Sequence, residues 1–69
     1  MEIEVSVNDQ PFVIEEGATL DKLLLKINRP PADGVAVAVN GQVIPRDSYQ
    51  SLKLNKNDSI IILTATQGG

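Results

Sequence analysis

The sequence predicts an α+β domain in which a mixed sheet of four to five strands packs on one main helix. Three observations carry that expectation. Glu2-Ile3-Glu4-Val5-Ser6-Val7 alternates polar and apolar residues, the period of a strand with one buried face. Leu20, Leu23, Leu24 and Ile27 recur at the spacing of a single apolar stripe on a helix. Val35-Ala36-Val37-Ala38-Val39 is a β-branched run that leads into Asn40-Gly41, the strongest short hairpin signal.

The elements follow in order. The first strand turns Ile3, Val5 and Val7 inward and Glu2, Glu4 and Ser6 outward. Asn8-Asp9-Gln10-Pro11 reads as a turn, and Phe12-Val13-Ile14-Glu15 as the returning strand of a hairpin that Gly17 ends. Thr19 is placed to cap the helix, with Asp21 in the first turn, where the helix dipole favours negative charge. Leu25 falls off the apolar stripe and is expected to touch a second neighbour. Asn28 can close the helix, and Pro30-Pro31 prevents its continuation. Gln42-Val43-Ile44 is the return strand after Asn40-Gly41. Residues 46–54 form a polar crossing segment that Tyr49, Leu52 and Leu54 anchor to the core. Asn55-Lys56-Asn57-Asp58 is a further turn, and Ser59-Ile60-Ile61-Ile62-Leu63-Thr64 the last strand. A first and last strand paired in parallel require the helix to cross one face of the sheet, which is the β-grasp arrangement. The domain is expected to span 1–64, with 65–69 a flexible tail ending in Gly68-Gly69.

Composition narrows the function. A chain of 69 residues has room for one domain. At that size only about 60% of the unfolded surface is buried on folding, which leaves little structure for a deep catalytic cleft. There is no cysteine and no histidine. A disulfide framework, a thiol nucleophile and the usual zinc ligands are therefore excluded, as is the commonest general base. A net charge of −3 would repel a phosphate backbone, and Phe12 and Tyr49 are too few aromatics for a base-stacking platform. No apolar stretch is long enough to span a membrane, and Met-Glu-Ile-Glu lacks the basic start of a signal peptide. A cytoplasmic protein with neither nucleic acid nor membrane as partner is expected. Glu15-Glu16 sits at a hairpin end on opposite strand faces, so it is no acid–base couple. Ser48 and Ser51 have no base to activate them. Arg46 and Asp47 are expected to form a solvated surface pair.

The segment Val37-Ala38-Val39-Asn40-Gly41 running into Val43-Ile44-Pro45-Arg46, the Asn57-Asp58 turn before the last strand, and terminal Gly68-Gly69 together resemble the ThiS family of thiamin-biosynthesis sulfur carriers, which are ubiquitin-like. The resemblance covers essentially the whole chain. That family often has tryptophan where Tyr49 stands and glycine where Asn57 stands. Tyr49 keeps a large amphipathic ring, and asparagine tolerates left-handed backbone angles. The resemblance implies a co-substrate, not an enzyme. A ubiquitin-activating-type (ThiF-like) adenylyltransferase would adenylate the Gly69 carboxylate using ATP, and this chain itself would bind no cofactor. A sulfur donor enzyme would then supply sulfur to form a thiocarboxylate. That sulfur would pass to a thiazole synthase (ThiG-like) building the thiazole ring. The same tail chemistry would serve a molybdopterin-synthase small subunit or a ubiquitin-like protein modifier.

The tail residues suit such chemistry. A C-terminal carboxyl is ionised at neutral pH, able to attack a phosphoryl centre but a poor acyl electrophile, so exchange of oxygen for sulfur requires prior activation. Terminal Gly69 leaves the carboxyl carbon unhindered, and Gly68 beside it lets the backbone thread a narrow channel. Gln67 and Gly68 are the expected tail-recognition residues. If Ile60 and Ile62 face the helix, then Ile61 and Leu63 face away. With Ala36 and Ala38 they would form an apolar, partner-docking patch on the open sheet face.

Overall fold

The computed structural model describes residues 1–29 and 33–64. Five strands form a single mixed sheet: β1 (Glu2–Val7), β2 (Gln10–Glu15), β3 (Val35–Val39), β4 (Gln42–Ile44) and β5 (Ser59–Thr64). Their spatial order is β2-β1-β5-β3-β4. The central pair, β1 and β5, is parallel, with Ser6 opposite Ser59 and Val7 opposite Ile60. The other pairs are antiparallel. A parallel pair cannot be closed by a tight turn. The chain between β1 and β5 holds β2, the helix α1 (Leu20–Lys26), and the β3–β4 hairpin. This is the expected β-grasp order, with all five strands present.

One face of the sheet is the core. Val5, Val7, Ile14, Val37, Val39, Ile60 and Ile62 are buried there with Leu20, Leu23 and Leu24 of α1. The alternation read from the first strand holds: Val5 and Val7 are buried, Ile3 is half-buried, and Glu2 and Glu4 are exposed. Burying a leucine or isoleucine fully contributes roughly 1.5–3 kcal/mol. Seven residues of α1 could not hold a helix in isolation, so packing of its three buried leucines is what stabilises it. Residues 46–54 begin with a 3₁₀ turn, Arg46–Ser48. Tyr49 and Leu54 are then buried and Leu52 partly so, as the sequence suggests.

Four expectations are corrected in detail. The first hairpin turn is only Asn8-Asp9, both with left-handed φ (49° and 68°), and β2 already begins at Gln10. Pro11 is tolerated inside β2 because that strand lies at the sheet edge. Thr19 occupies the N-cap position, but its hydroxyl donates to the Asp21 carboxylate and makes no cap bond to the backbone. That carboxylate accepts the Lys22 N–H at 2.8 Å from within the first turn, while the Thr19 carbonyl accepts the Lys22 and Leu23 N–H groups. Leu25 gains no covering neighbour and is 65% exposed. Arg46 pairs with Asp33 at 3.5 Å, both side chains being exposed, and not with Asp47.

The helix stop follows the sequence. Asn28 takes a left-handed φ of 64°, the Asn28 N–H donates to the Leu25 carbonyl, and the Arg29 N–H donates to the Leu24 carbonyl. That pair of bonds is a Schellman ending with asparagine in the usual glycine place. The expected block at Pro30-Pro31 lies outside the described residues, as does the expected tail, 65–69.

Candidate functional site: the open sheet face and the root of the tail

Side chains on a strand alternate between faces, so the buried set fixes the other one. Because Val37, Ile60 and Ile62 point to α1, Ala36, Ala38, Ile61 and Leu63 point away from it. The register brings these four together: Ala36 lies directly opposite Leu63, and Ala38 opposite Ile61. Leu63 is 54% exposed. Small alanines beside larger Ile61 and Leu63 leave a low surface, with a shallow depression lined by Gly34, Val35, Ala36, Leu63 and Thr64 where β5 ends.

Val43 belongs to the same patch and is missing from the sequence-based expectation. It pairs with Ala38 from the β4 side and is 64% exposed. The register is what reveals it: Ile44 turns inward beside Val37, so its neighbour Val43 must turn outward. Residues 46–54 do not cover this face. The Leu20 N–H donates to the Leu52 carbonyl, the Asp21 N–H to the Tyr49 carbonyl, and the Leu54 N–H to the Ala18 carbonyl, so the crossing segment is fastened around the start of α1.

The charges of the sheet are one-sided. The strands contain three charged residues, Glu2, Glu4 and Glu15, all on the open face, while the six lysines and arginines all lie outside strands. Glu2 stands directly opposite Glu15. These carboxylates sit at the end of the face away from Leu63, so the face is apolar toward the tail and acidic at its far end. Among the described residues no charged side chain is buried, and no group of three or more carboxylates could hold a metal ion. The described part of the site is therefore a surface for contact, with no enclosed acid or base.

The start of β5 is fixed by Asn40. That residue has a left-handed φ of 53° in the hairpin turn, followed by Gly41 at 83°. Its amide Nδ2 donates to Asp58 Oδ1 at 2.9 Å, and its Oδ1 accepts the Ser59 N–H at 2.9 Å. Asp58 Oδ2 accepts the Asn55 N–H at 2.7 Å, and Asn57 takes the left-handed angle (69°) expected of it. The segment that carries the resemblance, 37–46, thus locks the hairpin to the last strand. Gly69, expected to carry the sulfur, and Gln67 and Gly68, expected to be recognised with the tail, lie outside the described residues.

Comparison with known proteins agrees with this architecture. A sulfur carrier protein ThiS of Escherichia coli (strain K12) is 28% identical over 67 residues, 97% of this chain and 100% of that protein. The crystal structure of a thiamine biosynthesis protein (ThiS) from Geobacter metallireducens superposes with a TM-score of 0.82 at 25% identity, covering 97% of this chain and 100% of the other. A ubiquitin-like protein from the archaeon Caldiarchaeum subterraneum shares the fold at a TM-score of 0.50 and 21% identity, over 99% of this chain and 100% of that one. The ThiS family profile matches residues 2–69, which takes in the sheet, the locked hairpin and the terminal glycines together, and the chain belongs to the ThiS family.

Proposed function

We propose that this chain is a sulfur carrier of thiamin biosynthesis, a co-substrate whose Gly69 carboxylate is cycled through a thiocarboxylate. One carboxylate oxygen attacks the α-phosphorus of ATP on a ThiF-like adenylyltransferase, and pyrophosphate leaves. A sulfide equivalent from a sulfur donor enzyme then attacks the acyl carbon, and AMP leaves. The thiocarboxylate delivers its sulfur to a ThiG-like thiazole synthase. This chain supplies the acyl group and the docking surface, while the partners supply nucleotide and catalytic groups in the cytoplasm.

The observation that carries the reading is continuity between patch and tail. Leu63, an exposed member of the apolar face, is one residue from the end of β5, and Gly69 follows Thr64 by five residues. At roughly 3.3 Å per residue, an extended 64–69 segment reaches about 20 Å. A partner that covers Ile61, Leu63, Ala36, Ala38 and Val43 therefore has Gly69 within reach of a buried active site. Gln67 and Gly68 would line the entry to that site.

Removal of Gly69 tests the reading. Pyrophosphate release by the adenylyltransferase with ATP is expected to be lost, with an unchanged circular dichroism spectrum. Undiminished release from the truncated chain would overturn it.

A further inference from the structure

Asn8 does for the end of β5 what Asn40 does for its start. The parallel ladder between β1 and β5 is made by the Ser6 N–H donating to the Asp58 carbonyl at 2.9 Å and the Asn8 N–H donating to the Ile60 carbonyl at 2.8 Å. One step further along, the backbone of β1 is no longer available, because the chain has turned into Asn8-Asp9 with left-handed angles. The next groups on that edge of β5 belong to Ile62, a buried core residue. The Asn8 side chain takes the place of the missing strand. Its Oδ1 accepts the Ile62 N–H at 2.7 Å, and its Nδ2 lies 3.5 Å from the Ile62 carbonyl, a longer and weaker donation. The two residues are 54 positions apart in the chain.

This places the limit of two-sided support in β5. Through Ile62 the strand is held on one edge by β3 and on the other by β1 and Asn8. At Leu63 and Thr64, among the described residues, only the β3 pairing remains, to Ala36 and Val35. The carboxamide therefore holds the last residue of β5 that is bonded on both edges, two positions before the strand ends at Thr64. We propose that Asn8 is a positioning residue for the sulfur-carrier reaction: its carboxamide fixes the end of β5 and hence the direction in which the tail leaves the domain. This rests on the function proposed above, but the clamp itself is measurable without any partner.

The test uses Asn8→Gly, which accepts the left-handed turn angle but has no carboxamide, and Asn8→Asp, which keeps the Oδ1 acceptor. Amide hydrogen exchange is read at Ile62, with Ile60 as the internal reference. Loss of one backbone-directed bond predicts about tenfold faster exchange at Ile62 relative to Ile60 in Asn8→Gly. Asn8→Asp is expected to stay near wild type. With the adenylyltransferase, Asn8→Gly should raise KM by about tenfold with kcat retained, since one or two more residues must be ordered on binding. A merely structural role would lower the thermal midpoint and leave KM for the folded chain unchanged. Wild-type exchange at Ile62 in Asn8→Gly would overturn the inference, as would a wild-type KM. Failure of the wild-type chain to be adenylated at all would fall on the proposed function, and the exchange at Ile62 would still decide whether Asn8 holds the strand end.

Discussion

At the scale of single residues, asparagine and aspartate carry the turns. Every non-glycine residue with a left-handed φ among those described is one of these two: Asn8, Asp9, Asn28, Asn40 and Asn57. Their short polar side chains tolerate that angle and can bond nearby backbone. Asn40 separates the two contributions. Asn40→Gly keeps the backbone angle and loses the bonds to Asp58 and Ser59, which predicts a loss of about 1–2 kcal/mol. Asn40→Ala adds the left-handed penalty of an alanine, for a total of about 2–4 kcal/mol. Urea unfolding of the two variants checks the ranking; equal loss would mean the backbone angle contributes nothing. Asn40-Gly41 was legible as a hairpin because its signal is local. The bonds from Asn8 to Ile62 were not, since nothing near Asn8 announces a partner at the far end of the chain. Thr19 stands at the N-cap as read, but Asp21, two residues on, takes its hydroxyl and leaves no side-chain cap bond.

At the scale of elements, periodicity was a sound guide and edges were not. The period of two placed Val5, Val7, Val37 and Ile62 in the core, and the helical spacing did so for Leu20, Leu23 and Leu24. Pro11 was assigned to a turn because it follows Asn8 and Asp9 in a cluster of turn-forming residues, yet β2 is an edge strand that accommodates it. Edge position depends on the whole sheet order and cannot be read from a local window. Helix α1 gives the direct test of which leucines matter. Leu24→Ala should cost about 2–5 kcal/mol, a large share of the stability of so small a domain. Leu25→Ala, one position along and 65% exposed, should stay within about 0.5 kcal/mol. Similar losses at the two positions, measured by thermal or urea unfolding, would contradict the placement of the helix on the sheet.

At the scale of the whole molecule, the two faces of one sheet divide the work. The inner face holds the fold, and the outer face offers an apolar surface that ends at the root of the tail. The outer patch was legible from alternation in the last strand, while Val43 needed the register between β3 and β4 to join it. Leu63→Glu separates the two roles. It replaces an exposed side chain, so stability should move by no more than about 1 kcal/mol. A charge in the middle of an apolar contact should nevertheless raise KM for adenylation by about tenfold or more. An unchanged KM would remove the outer face from the docking account. The central claim is the chemistry at Gly69, and intact-protein mass spectrometry of the chain after incubation with the adenylyltransferase, ATP and a sulfur source tests it most directly. The account predicts a mass increase equal to replacement of one oxygen by sulfur, confined to the C-terminal peptide and reversed by hydrolysis. An unmodified mass after complete incubation, with the chain folded and the enzyme active, would contradict it.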